Sequence, residues 1–254
     1  MIHLRSRREI DAIAEGGAII GALFEALSAK IQPGISTGEI DEFCETFIRG
    51  HDGAVPAFKG LYGFPGAVCI SVNEEIVHGI PAPDRVLAEG DIVSVDMGVK
   101  LHGWYTDSAR TFAVGKISEA DQRLLDVTAK ALEMAVAAAA PGNHVGDLGA
   151  AVMRAVDGTG LGIVRDLVGH GVGRELHEEP QIPNVGRAGF GPLLRAGMVL
   201  AIEPMLSLGT DRIKTLDDEW TVVTADGSRS AHFEHTVAVT ADGPRVLTLA
   251  PATS

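Results

Sequence analysis

The sequence predicts an α+β fold built from two related halves, each with two helices followed by antiparallel strands. The main observation is an internal repeat. The pattern Pro-Gly-x-x-x-Gly-acid-apolar occurs at 33–40 and at 141–148, and Leu-x-x-Gly followed by an apolar run and an acid occurs at 87–96 and at 194–203. The two offsets, 108 and 107 residues, are nearly equal. We therefore expect one antiparallel sheet with approximate two-fold symmetry and with the helices packed on one face.

The chain of 254 residues is expected to be a single domain. The two halves span about 6–115 and 118–248, and no linker of distinct composition separates them. With 46% hydrophobic residues the chain can bury a large core.

The first half begins with two predicted helices. Residues 6–30 have helical apolar spacing, with Ser6 and Glu9 as a capping box. A second helix is predicted for 37–49 with Thr37 as its N-cap.

The remaining elements follow from turn signals and β-branched runs. A β-ribbon is predicted from its two apolar arms, 91–96 and 105–114, with a turn between Gly98 and Gly103. Other predictions are a loop at 51–66, a strand at 68–72, a turn-rich link at 73–83, helices at 118–140 and 145–159, Gly-rich loops at 166–184, and strands near 198–203, 220–224 and 231–239.

The charge and cysteine content limit the function. A formal net charge of −13 argues against a nucleic-acid-binding surface and against adhesion to an anionic membrane. There is no apolar run long enough for a membrane span and no secretory signal. Cys44 and Cys69 are too few for a disulfide framework, so we expect a cytosolic protein with free thiols.

Four acids lie in apolar strands at equivalent places in the two halves. The ribbon contributes Asp96 and Asp107, and the repeat relates them to Glu203 and Glu234. A buried carboxylate is costly unless it is paired or bound to metal. One such acid is ordinary in a turn or edge strand, but four at repeat-related positions predict a metal site.

A fifth ligand is His170, in the Gly-rich segment 168–173. Oxygen ligands with one imidazole suit Mn²⁺, Fe²⁺, Co²⁺ or Zn²⁺. Two divalent ions would balance four carboxylates, and such a pair suits hydrolysis of a carbonyl compound.

Other histidines are secondary candidates. His78 and His177 lie in loops bounded by Gly or Pro, and beside a hydrolytic centre they are candidate proton carriers or carbonyl donors. His232 shares the face of Glu234 and is a candidate to support a ligand, whereas His235 is expected on the opposite face.

Five spaced motifs together resemble the type I methionine aminopeptidases, whose fold is called pita-bread. They are NEEIVHGIP at 73–81, the pair Asp96 and Asp107, GHGVGRELHEEP at 169–180, IEP at 202–204 and FEHT at 233–236. The short spacing between His177 and Glu203 leaves no room for the helical insert of the type II enzymes.

The resemblance implies a role for each of these residues. Asp96 would chelate one metal, His170 and Glu203 the other, and Asp107 and Glu234 would bridge both. A bridging hydroxide would attack the scissile carbonyl. Glu203 would also shuttle a proton, and His78 and His177 would contact the substrate and its tetrahedral intermediate.

The resemblance also implies a methionine pocket lined by Phe64, Cys69, Leu176 and Trp220, although Leu61 stands where many relatives have an aromatic residue. The implied substrate is the initiator methionine of nascent proteins whose second residue is small and uncharged. The implied protein is a cytoplasmic monomer with a possible transient ribosome contact. Two alternatives remain: an Xaa-Pro aminopeptidase or creatinase-like enzyme, and a non-catalytic binding protein on the same fold.

Overall fold

The computed structural model describes residues 1–251, which form four helices and fifteen short strands. The helices are α1 (Arg7–Ser28), α2 (Thr37–Arg49), α3 (Glu119–Ala138) and α4 (Val145–Val156). The strands are β1 (Ala54–Pro56), β2 (Cys69–Val72), β3 (Glu75–Val77), β4 (Ile92–Leu101), β5 (Trp104–Ala113), β6 (Gly162–Ile163), β7 (Val168–Gly171), β8 (Glu178–Pro183), β9 (Val199–Ile202), β10 (Met205–Ser207), β11 (Ile213–Thr215), β12 (Val222–Thr224), β13 (Ser230–His232), β14 (His235–Thr240) and β15 (Gly243–Val246).

The helix starts are set by capping residues. The capping box of Ser6 and Glu9 opens α1 as predicted. For α2 the predicted N-cap was wrong by one residue: the Ser36 hydroxyl accepts the N–H of Glu39, and Thr37 is already helical. The Thr37 hydroxyl instead donates to the carbonyl of a neighbouring loop. No helix within residues 1–251 combines the length and apolar character that crossing a membrane requires.

The first half forms a sheet in which β4 pairs with β1, β2 and β5. The β4–β5 ribbon is longer than predicted, because β4 continues through Gly98 to Leu101 and the turn lies at 102–103. Gly98 serves packing rather than turning. A Cβ there would lie 2.7 Å from a ring carbon of Phe58.

The second half forms a five-stranded sheet in the order β15-β14-β9-β7-β8. The prediction of loops throughout 166–184 was wrong, since β7 and β8 lie there. The glycines allow close strand contact: a Cβ on Gly169 would lie 2.3 Å from the carbonyl oxygen of Ala201. The glycines of this segment were interpreted as a sign of loops. They are needed instead because neighbouring strand backbones approach closely there.

The helices and the acids lie on opposite faces of the ribbon. Val93, Val95 and Met97 of β4 belong to the same buried cluster as residues of α1 and α2. Because side chains alternate along a strand, Asp96 points to the other face. In the second half, residues of α3 and α4 cluster with those of β9 and β14. The predicted α+β class with helices packed on the sheet is confirmed.

The two halves meet where β5 lies beside β14. The backbone N–H of Glu234 donates to the carbonyl of Ala109. The Thr236 hydroxyl accepts from the N–H of Asp107 at 3.0 Å and donates to its carbonyl at 2.7 Å. The Ser108 hydroxyl donates to the carbonyl of Glu234 at 2.5 Å. Side-chain hydroxyls thus carry much of the pairing at this junction, which we call the seam.

Candidate metal centre and active site

The two ribbon acids occupy diagonal positions on one face. Asp96 lies opposite Ala109 and Asp107 lies opposite Gly98, so the acids are two residues apart in register. Diagonal neighbours on one face are within reach of each other. Asp107 is buried, at 4% exposure, and Asp96 is partly buried.

The acids of the second half lie where strands are interrupted. Glu203 follows β9, and its carbonyl accepts a hydrogen bond from the side-chain amide of Asn184 at 3.1 Å. Glu234 stands between β13 and β14 and is held by the seam. The structure thus brings the four acids together from both halves.

His170 is held by β7 with its ring facing the acids. Its Nδ1 lies 2.9 Å from the carbonyl oxygen of Gly171, which places the proton on Nδ1. Nε2 lies 3.7 Å from Asp107 Oδ2 and 3.6 Å from Glu203 Oε1. A metal-binding histidine usually donates its other N–H in this way, which leaves the Nε2 lone pair for a metal.

The electrostatics of the cluster fit a cation. Burial raises the pKa of Asp96 to about 7, and burial together with the charges of neighbouring acids raises the pKa of Asp107, Glu203 and Glu234 well above the ordinary range. Four unneutralised carboxylates that line one cavity repel one another, and a cation between them would remove this repulsion.

The donor geometry also fits a cation. Ligand atoms of Asp107, His170 and Glu234 all lie within 4.8 Å of one another. Among residues 1–251, one buried oxygen each of Asp96, Asp107 and Glu234 has no hydrogen-bond partner. Enclosed carboxylate oxygens with no donor are the groups that a divalent ion would satisfy.

His78 and His177 lie at the wall of the cavity that contains these acids. His78 follows β3 in the left-handed region, at φ 60°, and its ring is 6.5 Å from that of Trp220. The His177 ring stands edge-on to His170 with centroids 4.5 Å apart. Burial lowers the pKa of both histidines, so each is a neutral donor or acceptor near pH 7.

The segment carrying His177 is fixed by one carboxylate. Glu178 accepts the backbone N–H groups of Arg174 and Glu175. The same carboxylate forms a two-oxygen ion pair with Arg5, at 2.6 and 2.5 Å, from the segment preceding α1. Both partners are about one-tenth exposed. Both contacts come from Nη2 of Arg5, and charge-assisted hydrogen bonds are stronger than neutral ones, so this contact holds the cavity wall.

Beside the acids, the cavity of about 290 Å³ is mainly apolar. The structure places all four predicted pocket residues in its lining, and Phe64 and Trp220 stand edge to face at 5.1 Å. The other two are Cys69 and Leu176, each 4% exposed.

The chain also matches a known family over most of its length. The model of metallopeptidase family M24 matches residues 11–241. Methionine aminopeptidase of Clostridium perfringens is 50% identical over 249 residues, which cover 98% of this chain and 99% of that protein. The chain belongs to the methionine aminopeptidases of family M24. The enzyme named methionine aminopeptidase 1 in Bacillus subtilis is 49% identical, with 98% of this chain and 99% of that protein covered.

Solved structures agree with this membership. A crystal structure of Thermotoga maritima methionine aminopeptidase superposes with a TM-score of 0.96 at 43% identity, covering 98% of this chain and all of that chain. The prolidase of Pyrococcus furiosus gives a TM-score of 0.78 at 24% identity and extends well beyond the match, with 66% of its length covered. At 24% identity, the likeness to the prolidase shows a shared fold and nothing more. The predicted family resemblance is confirmed.

Several cavity residues of this M24 member were not predicted. Phe58 and Tyr62 come from the segment predicted as a loop. Leu167 and Val168 precede His170 by three and two residues, and Met205 follows Glu203 by two. Closeness in sequence to a predicted ligand was the signal that could have found these three.

His232 lies deeper in the centre than its secondary status predicted. It is 1% exposed, and its Nε2 is 3.7 Å from Glu203 Oε2 and 4.0 Å from Glu234 Oε2. Burial, with a further contribution from His78, lowers its pKa to about 3. His235 points elsewhere as expected, with Nδ1 2.8 Å from the Thr248 hydroxyl.

Proposed function

We propose that this chain is a methionyl aminopeptidase that removes the initiator methionine from nascent proteins whose second residue is small and uncharged. The observation that carries the proposal is the convergence of four acids and His170 at one end of an apolar cavity of about 290 Å³. The full-length likeness to enzymes named methionine aminopeptidase supports the same substrate.

Two divalent ions, of Co, Mn, Fe or Zn, fit the centre best. Asp96, Asp107, His170, Glu203 and Glu234 would hold them, since two dications balance four carboxylates. Such ions supply Lewis acidity toward a carbonyl and lower the pKa of water.

The side chains around the centre supply the remaining chemistry. Neutral His78 and His177 would bind the first peptide group and donate to its carbonyl oxygen as negative charge develops. Glu203 would take a proton from the attacking water and transfer it to the leaving amine.

The methionine side chain would enter the apolar end of the cavity. Phe64 and Trp220 offer ring edges and faces, and Cys69 and Leu176 complete the wall. A thioether packs well against aromatic and soft surfaces. Leu61 also lines this cavity, so it is expected to alter the shape of the pocket relative to enzymes with an aromatic residue there.

The cellular setting is part of the proposal. We place the enzyme in the cytoplasm as a monomer acting on chains as they leave the ribosome, with transient ribosome contact. Both cysteines, Cys44 and Cys69, are free and buried, which suits a reducing compartment.

The alternatives are weaker. An Xaa-Pro aminopeptidase or creatinase-like activity rests on likenesses of fold, such as the one at 24% identity to a longer prolidase. A non-catalytic binding protein would not need the complete set of acids and histidines assembled here.

The deciding experiment compares two peptides. Purified protein loaded with Co²⁺ or Mn²⁺ should release methionine from Met-Gly-Met-Met and leave an Ala-Pro peptide intact, and EDTA should abolish the activity. Asp107→Asn should be inactive, whereas Glu175→Gln, at an exposed acid near the cavity, should be active. Cleavage of the Ala-Pro peptide alone, or activity resistant to EDTA, would refute the proposal.

A further inference from the structure

One buried imidazole beside the metal centre has no part in the function proposed above. His232 ends β13, and its backbone is fixed on both sides by one hydroxyl: the Thr111 hydroxyl accepts its N–H at 2.9 Å and donates to its carbonyl at 2.9 Å. The hydroxyl of Ser94 lies 2.8 Å from that of Thr111. Because the backbone of His232 is held firmly, the direction of its side chain is defined. The imidazole faces Glu203 and Glu234.

Neither ring nitrogen of His232 has a hydrogen-bond partner among residues 1–251. A polar group that is buried without a hydrogen-bond partner destabilises the folded protein. Of the two carboxylate oxygens that face Nε2, that of Glu203, Oε2, is nearer at 3.7 Å. A small rotation of the flexible glutamate side chain would bring this pair into hydrogen-bonding range.

Comparison with His170 separates two roles for His232, that of a metal ligand and that of a hydrogen-bond donor. Both imidazoles place Nε2 at 3.6–3.7 Å from a Glu203 oxygen, but they face different oxygens, Oε1 for His170 and Oε2 for His232. His170 donates Nδ1–H to Gly171, which leaves Nε2 free to bind a metal. The Nδ1 of His232 has no acceptor to hold its proton, so nothing in residues 1–251 reserves its Nε2 lone pair for a metal.

We propose that His232 is a positioning residue, which donates Nε2–H to Oε2 of Glu203 and so directs Oε1 toward His170. The proposal rests on the function proposed above, because it concerns the orientation of the acid that moves the proton. In this arrangement His232 holds Oε2 of Glu203, and Oε1 is left to move the proton. His232 itself touches neither substrate nor the scissile bond.

Three substitutions test the donor position. The amide nitrogen of glutamine can reach the place of Nε2, whereas that of asparagine stops near Nδ1, and leucine has no donor. We expect His232→Gln to stay within about threefold of wild type in kcat, and His232→Asn and His232→Leu to lose about 10–100-fold, the range typical of groups that support metal ligands. KM should change much less than kcat. Equal kcat for the glutamine and leucine variants would overturn the proposal.

A readout independent of peptide cleavage is Co²⁺ binding. Titration followed by the visible absorption of Co²⁺ should show about 10–100-fold weaker binding in the asparagine and leucine variants and nearly normal binding in the glutamine variant. If the protein fails to cleave Met-Gly-Met-Met while this pattern holds, the proposed substrate is wrong and the role of His232 stands.

A measurement on the unmodified enzyme covers the case in which a variant does not fold. In Zn²⁺-loaded protein with ¹⁵N-labelled histidine, His232 should show a protonated Nε2 and an unprotonated Nδ1, the reverse of His170. A metal-bound Nε2 would make His232 a sixth ligand and contradict the proposal, and a neutral ring protonated on Nδ1 alone would exclude the donated hydrogen bond.

Discussion

At the scale of single residues, the two ribbon acids are not equivalent. Asp107 is almost fully enclosed, and both its backbone N–H and its carbonyl are fixed by the Thr236 hydroxyl. Asp96 lies in the uninterrupted β4–β5 ladder, opposite Ala109, and is less enclosed. The family resemblance implies a bridging role for Asp107, the acid at the seam, and a terminal role for Asp96.

Asp96→Asn tests the terminal role. The amide has almost the same shape but no charge, so the metal centre loses one negative charge without a cavity. Metal affinity and kcat should both fall by at least the 10–100-fold seen for groups that only support ligands. Metal content by elemental analysis and steady-state kinetics measure the effect. The exposed Asp126→Asn is the matched control, and full metal content with normal turnover in Asp96→Asn would exclude the ligand role.

At the scale of elements, the seam between β5 and β14 supports the centre. Asp107 and Glu234, the acids proposed to bridge, lie on its two sides, and hydroxyls of Ser108 and Thr236 join their backbones. A hydroxyl both donates and accepts, so one side chain can satisfy a neighbouring N–H and carbonyl together. The geometry of the metal centre therefore depends on threonine and serine residues that are not ligands.

Thr236→Val tests this dependence. Valine keeps the shape of threonine but leaves the buried N–H and carbonyl of Asp107 without a partner. The free energy of unfolding should fall by about 1–3 kcal/mol, measured by denaturant titration. Co²⁺ affinity should fall as well. The same substitution at exposed Thr215 should leave both unchanged, and an equally stable Thr236→Val protein would show that the seam does not depend on this hydroxyl.

At the scale of the whole molecule, the clustered acids link stability to pH. Between the ordinary and the raised pKa of a carboxyl, the folded protein holds a proton that the unfolded chain has lost. Stability supplied by such a group is present at low pH and is lost as pH rises through the folded pKa. The buried histidines, with lowered pKa, act in the opposite direction, and their contribution fades as pH rises past their unfolded pKa of about 6.5.

Metal-free protein should therefore lose thermal stability as pH rises from about 6.5 to 8, because in this window the contribution of the histidines fades while the buried carboxyls lose their protons. Asp96, with a pKa of about 7, titrates within it. Melting temperatures in the presence of a chelator measure the trend, and added Co²⁺ should stabilise more at pH 8 than at pH 6.5. Metal-free stability that is flat or rising over this window would contradict the assignment of these acids as protonated in the fold.

Much of the architecture could be predicted because it repeats. The 107–108-residue offset identified the two halves, and the acids stood out because carboxylates are costly in apolar strands. Apart from the N-cap of α2, the errors described above have one cause. Gly98, Gly169 and Gly171 signalled turns and loops, but they serve close packing within strands. The sequence does not distinguish a glycine whose own backbone needs a positive φ from one whose missing side chain makes room for a neighbouring residue.

The sequence by itself determined the α+β class, the capping box of α1, the set of candidate ligands and the family resemblance, because these depend on local spacing and on the types of residue present. Only the tertiary structure decided which oxygen faces which imidazole, that Arg5 anchors the segment of His177, and that His232 points at Glu203. These contacts join residues far apart in the chain, some across both halves. Their geometry arises from strand register and the seam, which no local pattern encodes.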